Sequence, residues 1–297
     1  MRCLGRRSAK SPRESCVSVA ESTDTPQFEF VRTRLVDGVF ELTLDRPKIN
    51  AINIQMDLDW LHALQAAEAD DRVAVVLQRA EGRMFTAGHD LEEVGAILKN
   101  LEDPSDWSGV YAQIWPEGSP LDFTAEITKP LLAAVHGQVV GQGVYQALAS
   151  DIVIAAQGTV FNMEVARTGG AAGVSSLTGL IPPKLVNELA YVGRLSAEVL
   201  LSAGGINRVV PRAELDAVAM TLAASIARVH PSSLGAHKTA MKGTFARQNL
   251  GDFASGFDAI RDSHGNDDDN EFWSAASERG VREALAWRDE RFGPAVR

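Results

Sequence analysis

The sequence contains few cysteines, no long apolar run and no excess of positive charge. Its two cysteines, Cys3 and Cys16, lie near the N-terminus, so neither a disulfide framework nor a cysteine-based metal site holds the fold. We therefore expect a reducing, cytoplasmic setting. No apolar run is long enough to span a bilayer, and a formal net charge of −10 disfavours nucleic acid or an anionic membrane as a partner.

Residues 1–27 differ in composition from the rest of the chain. They are rich in Arg, Ser and Thr but lack the apolar segment of a secretory signal. We expect a disordered leader that takes no part in the fold. With 297 residues and 45% hydrophobic content, the chain can bury a full core as one large domain, with or without a small appendage.

Apolar periodicity predicts an α/β domain that begins with a hairpin. Residues 28–35 and 39–44 alternate apolar and polar side chains around Asp37-Gly38, a pair typical of a tight hairpin turn. Helical spacing of apolar residues predicts a helix over residues 54–69. Short apolar runs then predict buried strands over residues 73–77, 131–135, 152–156 and 206–210. This order indicates repeated β-β-α units.

The second half of the chain is predicted to be mainly helical. An amphipathic helix is expected over residues 185–201, and the pattern is helical from Ala213 onward. The acidic run 267–269 lacks the ligand spacing of a calcium loop, so we interpret it as a solvated turn. The closing helix carries more apolar surface than a lone terminus should, which favours oligomer packing. Its apolar residues are Trp273, Val281, Leu285 and Trp287.

Residues 130–151 combine a strand, glycine turns and a helix start in one short stretch. Gly137, Gly141 and Gly143 permit the backbone to turn sharply or to approach a ligand closely. A helix predicted to begin at Gln142 presents unpaired N–H groups, which can bind a phosphate or an oxygen that becomes negative during a reaction. The alternative is a loop that serves packing alone.

Residues 84–91 repeat this arrangement, because an apolar strand end is followed by Gly88 and by a helix that begins at Asp90. Two such turns in one domain can direct two backbone donors at a single oxygen. His89 lies beside the turn glycine. We expect its backbone N–H, rather than its imidazole, to take part.

Glu164 is the carboxylate that this pattern places near the turns. It lies between apolar residues, after a short strand and ahead of the glycine-rich loop 169–173. Such a carboxylate is either paired structurally or kept partly desolvated for proton transfer. The polar stretch 100–128, with its scattered aromatic residues, is interpreted as helix and loop bordering a pocket.

Other catalytic motifs do not fit the sequence. The G-x-G that follows the strand is compatible with a dinucleotide-binding turn, but Gln146 occupies the third glycine position. The sequence contains no G-x-S-x-G elbow, no H-E-x-x-H zinc helix and no Walker loop. The common hydrolase, metalloprotease and nucleotide-triphosphatase classes are thereby excluded, and no metal site is predicted.

Four ordered segments resemble the signatures of the crotonase superfamily, the enoyl-CoA hydratase/isomerase family. They are LDRPKINAIN (44–53), FTAGHDLEEV (85–94), AAVHGQVVGQG (133–143) and SDIVIAA (150–156). The closing SERGVREALAWRDERF (277–292) is similar to the family's C-terminal helix. The resemblance implies an α/β spiral of β-β-α units over residues 28–211, followed by a helical region, residues 212–297, that assembles trimers or dimers of trimers.

The resemblance also implies an acyl-CoA substrate and a set of site residues. Members hold the thioester oxygen between two backbone N–H groups, here those of His89 and Gln142, and stabilise an enolate. Lys48 falls where a basic residue often meets the CoA phosphates. The backbone that lines the CoA site corresponds to Ala87, Gly88, Asp90, Leu91 and Gly141. No cofactor is implied beyond the CoA that the substrate carries.

Two departures from the family pattern bear on the reaction. The hydratases use two glutamates, whereas Tyr145 here occupies the first position and Glu164 keeps the second. In addition, Gln142 replaces the middle glycine of the turn. The sequence therefore favours an enoyl-CoA isomerase-like enzyme with Glu164 as its single carboxylate base, and with Tyr145 as a hydrogen-bond donor beside the reacting group.

Two alternatives remain open. One is a crotonase-fold C–C bond hydrolase of the β-diketone or retro-Claisen type, for which Tyr145, His89 and His136 supply polar groups. The other is a catalytically silent acyl-CoA-binding homologue. Glu164 argues against the silent protein, because burying a carboxylate costs stability unless it is paired or used.

Overall fold

The computed structural model of the chain describes residues 26–102, 107–168, 174–247 and 266–293. Nearly all of the predicted leader and the whole glycine-rich loop 169–173 lie outside these residues. Within the described part, no helix combines the length and the apolar character needed to cross a membrane.

The predicted hairpin is confirmed at the start of the fold. Strands β1 (Val31–Val36) and β2 (Val39–Leu44) pair antiparallel. Asp37 and Gly38 both have positive φ, at 47° and 82°, as a two-residue type I′ turn requires. The turn was predictable because it depends on two adjacent residues.

Seven further strands complete two sheets in the described chain. They are β3 (Val75–Ala80), β4 (Leu131–Val135), β5 (Gln138–Val140), β6 (Ile152–Ala156), β7 (Val160–Asn162), β8 (Arg194–Ser196) and β9 (Arg208–Val210). The larger sheet has the order β1-β2-β3-β4-β6-β9, and its pairs after the hairpin are parallel. The smaller sheet has the order β5-β7-β8, with a parallel and an antiparallel pair. The α/β fold class predicted from the sequence is confirmed.

Helices cover both faces of the larger sheet. The α-helices are α1 (Ile54–Ala69), α2 (Leu91–Asn100), α3 (Trp107–Ile114), α4 (Pro120–Glu126), α5 (Gln142–Leu148), α6 (Pro183–Tyr191), α7 (Ala197–Ser202), α8 (Leu215–Ile226), α9 (Pro231–Arg247), α10 (Asp267–Arg279) and α11 (Val281–Phe292). Along β4, Leu131 and Ala133 pack in the cluster that contains α1, whereas Leu132 and Ala134 pack in the cluster that contains α8. This alternation buries the strand on both sides.

The helix predicted over residues 185–201 is wrong as a single element. Helix α6 ends at Tyr191, and Gly193 has a φ of 91°, which an α-helix cannot accommodate. Strand β8 then pairs with β7, and the Ser196 side chain caps α7 by accepting from the Val199 N–H at 3.2 Å. The apolar spacing did not reveal the break between α6 and α7, because each of the two helices buries an apolar face.

The acidic run 267–269 is the first turn of α10 rather than a solvated turn. Asn266 caps the helix, and its side chain accepts from the Asp269 N–H at 3.0 Å. Acidic side chains at a helix N-terminus are favoured by the helix dipole. Asp269 is buried and accepts a hydrogen bond from the indole of Trp273 at 3.1 Å, so this carboxylate is not solvated.

The apolar residues of the C-terminal helices pack within the chain itself. Phe272 and Ala275 of α10 are fully buried, and Leu91, Trp273, Leu285 and Trp287 pack against that cluster. This packing against α2 covers much of the surface that suggested an oligomer contact. The assembly therefore stays a prediction without that support.

Candidate functional site

A cavity of about 870 Å³ lies between the two glycine turns, helix α3 and the two C-terminal helices. Every residue that the family resemblance assigns to the acyl-CoA site lines this cavity. Those residues are Lys48, Ala87, Gly88, His89, Asp90, Leu91, Gly141, Gln142, Tyr145 and Glu164. The fold thus gathers side chains from distant parts of the chain into one space.

Buried hydrogen bonds hold the turn at Gly88. The Gly88 N–H donates to the Thr86 hydroxyl at 3.1 Å, and the Gly88 carbonyl accepts from the Ile52 N–H at 2.7 Å. The Asp90 N–H in turn donates to the Ile52 carbonyl at 2.8 Å. This parallel bridge uses the residues on either side of His89, so the N–H of His89 itself points away from Ile52.

Asp90 has a structural task at this turn. Its side chain caps α2 and accepts from the Glu92 N–H at 3.1 Å. The same carboxylate pairs with Arg46 at 2.9 Å. Asp90 therefore fixes the start of α2, whose residues Leu91 and Glu92 also line the cavity.

The turn at Gly141 lies against the turn at Gly88. Gly141 has a φ of 56° and donates its N–H to the Asn162 carbonyl at 2.9 Å. A Cβ on Gly141 would come within 3.7 Å of the Gly88 Cα, and one on Gly88 would come within 3.2 Å of the Val140 carbonyl oxygen. Positive φ favours glycine at both positions, and the close approach of the Val140 carbonyl is a second reason at Gly88.

The contact between the turns leaves two backbone donors at the cavity. Within the described ranges, the N–H groups of His89 and Gln142 have no hydrogen-bond acceptor, and both residues line the cavity. Unpaired N–H groups at a buried site are costly unless water or a ligand pairs with them. The site therefore offers two adjacent donors to an oxygen atom.

Asp57 of α1 is a functional candidate that the motifs and apolar patterns of the sequence did not indicate. Its carboxylate is 2% exposed and accepts hydrogen bonds from the Gln142 side-chain amide and, at 3.0 Å, from the Trp115 indole. The Nε2 atom of His89 lies 3.4 Å from the same carboxylate. One buried acidic group thus contacts the side chains of both residues whose N–H groups are unpaired.

Glu164 is buried in a cluster of positive charge. Its carboxylate pairs with Arg167 at 2.5 Å and Arg194 at 3.0 Å, and Arg288 lies 3.7 Å away. Asn162 donates a further hydrogen bond at 3.1 Å. Burial raises the pKa of Glu164, but the hydrogen bonds from Arg194 and Asn162 and the charge of Arg288 outweigh it, so the net pKa is lowered.

Of the two possibilities that the sequence left open for Glu164, the structure confirms pairing, whereas proton transfer stays a prediction. Because the carboxylate is paired, its burial no longer argues against the catalytically silent acyl-CoA-binding homologue. The carboxylate is paired structurally, and it also lines the cavity. Because its pKa is lowered, it is ionised at neutral pH and can accept a proton, although the arginines make it a weaker base. Arg167 and Arg288 also contact Asp289 of α11, at 3.4 and 2.8 Å, so the C-terminal helix is tied to the site.

Aromatic side chains form part of the cavity wall, as the interpretation of residues 100–128 predicted. Tyr111 stacks on Trp115 with ring centroids 5.3 Å apart, and Trp107 lies beside Trp273 at 5.5 Å. Burial, with the charge of Asp269, raises the pKa of Tyr111 to about 12. Such a wall suits an apolar ligand chain.

Tyr145 remains protonated at neutral pH. It is the fourth residue of α5 and lines the cavity. Burial, with a smaller contribution from Tyr111, raises the pKa of its phenol. A phenol that stays protonated cannot serve as a base.

His136 does not belong to the site. It is 3% exposed, and its Nε2 lies 2.9 Å from the Gly82 carbonyl. Burial lowers its pKa, and it is not among the described residues that line the cavity. The C–C hydrolase alternative therefore loses one of its three polar groups. No group of His, Cys, Asp and Glu in the described ranges has the geometry to hold a metal ion.

Comparisons with known proteins identify relatives of this chain. The profile of the enoyl-CoA hydratase/isomerase family matches residues 34–271. A carnitinyl-CoA dehydratase from Salmonella enteritidis PT4 is 34% identical over 212 residues, which span 69% of this chain and 77% of that protein. A carnitinyl-CoA dehydratase from Salmonella typhi matches over the same lengths with the same identity.

Solved structures give the same result for the fold. An enoyl-CoA hydratase/isomerase from Xanthobacter autotrophicus Py2 superposes with a TM-score of 0.81 and 28% identity, covering 91% of this chain and 100% of that one. An enoyl-CoA hydratase/isomerase family protein from Silicibacter pomeroyi superposes with a TM-score of 0.64 and 26% identity, covering 71% and 90% of the two chains.

Proposed function

The chain belongs to the enoyl-CoA hydratase/isomerase family of the crotonase superfamily, and from this premise we propose that it converts an enoyl-CoA thioester through an enolate, as an isomerase with one carboxylate base. The thioester oxygen accepts hydrogen bonds from the His89 and Gln142 N–H groups. Glu164 removes a proton from the acyl chain and returns it to another carbon. The observation that carries the proposal is that both free donors and Glu164 line one cavity.

The two N–H groups supply the electrostatic part of the mechanism. When the acyl chain loses a proton, negative charge develops on the thioester oxygen, where preorganised donors stabilise it. Loss of one such donor in other enzymes costs about 2.7–4 kcal/mol. Because Glu164 is a weakened base, the reaction depends strongly on this stabilisation.

The rest of the substrate fits the remainder of the cavity wall. Lys48 and Arg83 are exposed at the cavity, where their charges can meet the CoA phosphates. The apolar wall around Tyr111, Trp115 and Leu121 can bury the acyl chain. The backbone of Ala87, Gly88, Asp90, Leu91 and Gly141 lines the same cavity and is proposed to line the CoA thioester.

Tyr145 favours isomerisation over hydration in this proposal. Hydration requires one group that activates water and another that delivers a proton. A protonated phenol can donate a hydrogen bond, but it cannot take the place of a second carboxylate base. An isomerase needs only one carboxylate, which shuttles the same proton between two carbons.

Hydration or dehydration is the second candidate, because the relatives at 34% identity are named carnitinyl-CoA dehydratases. Isomerisation neither adds nor removes water, whereas this second candidate reaction does one or the other. For this second candidate, a group other than Tyr145 must act beside Glu164. Both candidates use the same pair of backbone donors.

The experiment follows both reactions with one purified protein. A 3-enoyl-CoA and a 2-enoyl-CoA of equal chain length are supplied separately, and isomer and hydration products are quantified. Isomerisation faster than hydration by the wild type supports the proposal, whereas fast hydration replaces it with the second candidate. Tyr145→Glu is expected to gain hydration, and Tyr145→Phe serves as the matched control that removes the hydroxyl without adding a carboxylate.

We also propose the assembly that the family resemblance implied and the setting that the scarcity of cysteine predicted. The protein is proposed to form a homotrimer or a dimer of trimers in the cytoplasm, with no cofactor besides the CoA of its substrate. Light scattering coupled to size-exclusion chromatography measures the assembly, and a monomer at micromolar concentration would contradict this part of the proposal.

A further inference from the structure

The buried carboxylate of Asp57 lies where it can control both backbone donors of the site. We propose that Asp57 is a positioning residue, which holds His89 and Gln142 so that their N–H groups point at the same oxygen. The proposal rests on the oxyanion role proposed above for these N–H groups. It assigns to Asp57 no contact with the substrate and no proton transfer.

Gln142 depends on Asp57 for the position of its side chain. The Gln142 amide donates to the Asp57 Oδ1, while its carbonyl oxygen is buried without a partner in the described part of the chain. The hydrogen bond to Asp57 therefore fixes the position of the Gln142 side chain. Because Gln142 is also the first residue of α5, the same hydrogen bond joins the start of α5 to α1.

His89 approaches the same carboxylate from the other turn. Its Nε2 lies 3.4 Å from the Asp57 Oδ2 and is buried without a hydrogen-bond partner among the described residues. The imidazole also packs against Trp115, with ring centroids 5.8 Å apart, and the Trp115 indole donates to the Asp57 Oδ2 at 3.0 Å. The side chain of His89 is thus confined by Asp57 and by a residue that Asp57 holds.

Asp57 is itself fixed well enough to serve as a reference point. It is the fourth residue of α1, and its N–H donates to the Asn53 carbonyl at 3.0 Å. The Asn53 side chain caps the same helix by accepting from the Met56 N–H at 3.0 Å. A group on a capped helix can hold residues of the two turns with less movement than the turns would have alone.

The probe for this inference is 2,4-hexadienoyl-CoA, whose conjugated thioester changes its absorbance when its carbonyl is polarised. Donors directed at the thioester oxygen shift the absorption of the bound probe to longer wavelength. The shift reports the aim of the N–H groups without requiring turnover, and titration of the same signal gives the dissociation constant. The wild type is expected to bind the probe with such a shift.

Asp57→Ala is expected to bind the probe with a dissociation constant close to that of the wild type but with most of the shift lost. Misplacement of a reacting group by roughly 1 Å can cost on the order of 10²-fold in rate, so turnover of an enoyl-CoA should fall by that order with little change in KM. A purely structural role would lower thermal stability and leave the shift of the folded protein unchanged. That result would overturn the inference.

Asp59→Ala is the matched control on the same helix. Asp59 is also a buried carboxylate, but it accepts from the Phe30 N–H at 2.7 Å and from Gln55 at 2.8 Å, on the side of the hairpin. Among the described residues, no hydrogen bond or ion pair joins it to His89 or Gln142. Loss of stability with an unchanged shift is expected, and an equal loss of shift in both variants would contradict a specific role for Asp57.

Two further variants keep the test informative where Asp57→Ala does not fold. Gln142→Ala and His89→Ala retain both backbone N–H groups but remove their contacts with Asp57. The shift should fall partly in each and further in the double variant, and an unchanged shift in the double variant would overturn the inference. A wild type that binds the probe without any shift would instead overturn the oxyanion role itself.

Discussion

Gly143→Ala is expected to disturb the site through one identifiable overlap. A Cβ at Gly143 would overlap the Cγ2 of Thr86, whereas its contacts with Val139 and Phe85, at 3.6 and 3.7 Å, would be ordinary. Thr86 cannot turn aside without cost, because its hydroxyl donates to the Asn50 carbonyl at 2.5 Å and accepts from Gly88 at 3.1 Å. The substitution therefore pushes on the residue that supports the first glycine turn.

The size of the effect follows from two opposing contributions to the free energy of unfolding. Overpacking a buried site costs about 1–3 kcal/mol, and this overlap with a fully buried, doubly hydrogen-bonded side chain belongs in the upper half of that range. Replacing glycine by alanine inside a helix returns up to about 0.8–1.0 kcal/mol. The net expectation is a loss of about 1–2 kcal/mol, with a displaced His89 N–H and slower turnover.

Urea unfolding and the absorbance shift of bound 2,4-hexadienoyl-CoA measure the two consequences separately. Thr86→Ser removes the overlapping methyl group but keeps the hydroxyl, so the double variant Gly143→Ala/Thr86→Ser should recover both stability and shift. Thr86→Ser alone is expected to lose roughly 1 kcal/mol for the missing methyl. A Gly143→Ala protein with wild-type stability, or a double variant that recovers nothing, would refute the packing argument.

Three further predictions concern charged groups of the site. Glu164→Gln should keep acyl-CoA binding by calorimetry while turnover falls roughly 10²–10⁴-fold, as for other lost general bases; near-wild-type turnover would remove Glu164 from the mechanism. Arg194→Gln removes a hydrogen bond that lowers the pKa of Glu164. The pKa of Glu164 should therefore rise in this variant. The active base is the ionised form, which is lost as pH falls through its pKa, so the acid limb of the pH–rate profile should move to higher pH. An acid limb that does not move would argue that another group titrates there. Lys48→Ala should weaken acyl-CoA binding at low salt and much less at high salt, because salt screens an exposed charge. Lys184 is also exposed but lies away from the cavity, so Lys184→Ala should leave acyl-CoA binding unchanged at either salt concentration.

Much of the fold was readable from the sequence because it depends on local geometry. The turn at Asp37-Gly38 needs two residues with positive φ, and α1 spans the predicted residues 54–69. The glycines at 88 and 141 were identified as turn residues for the same reason, since positive φ is a property of the single residue. The acyl-CoA site residues taken from the family resemblance all line one cavity, although only the fold brings them together.

The position of Asp57 relative to apolar residues of α1 is the sequence feature that could have identified it. It precedes Trp60 and Leu61 by three and four residues, which places a carboxylate on the buried face of α1. A charged residue on an apolar face is costly unless it is paired, so such a residue can be flagged from sequence. Its partner Gln142, however, is 85 residues away, and no local pattern identifies it.

Tertiary structure alone decided the environment of Glu164 and the break after α6. The carboxylate pairs with Arg167 on its own 3-10 turn, with Arg194 on β8 and with Arg288 on α11. The pairing with Arg194 requires β8 to pair with β7, and the pairing with Arg288 requires α11 to pack against the 3-10 turn. Strand β8 likewise exists because β7 offers its free edge to residues that would otherwise extend an amphipathic helix. Charge pairing and strand pairing between distant segments depend on three-dimensional proximity, which hydrophobic periodicity along the chain does not encode.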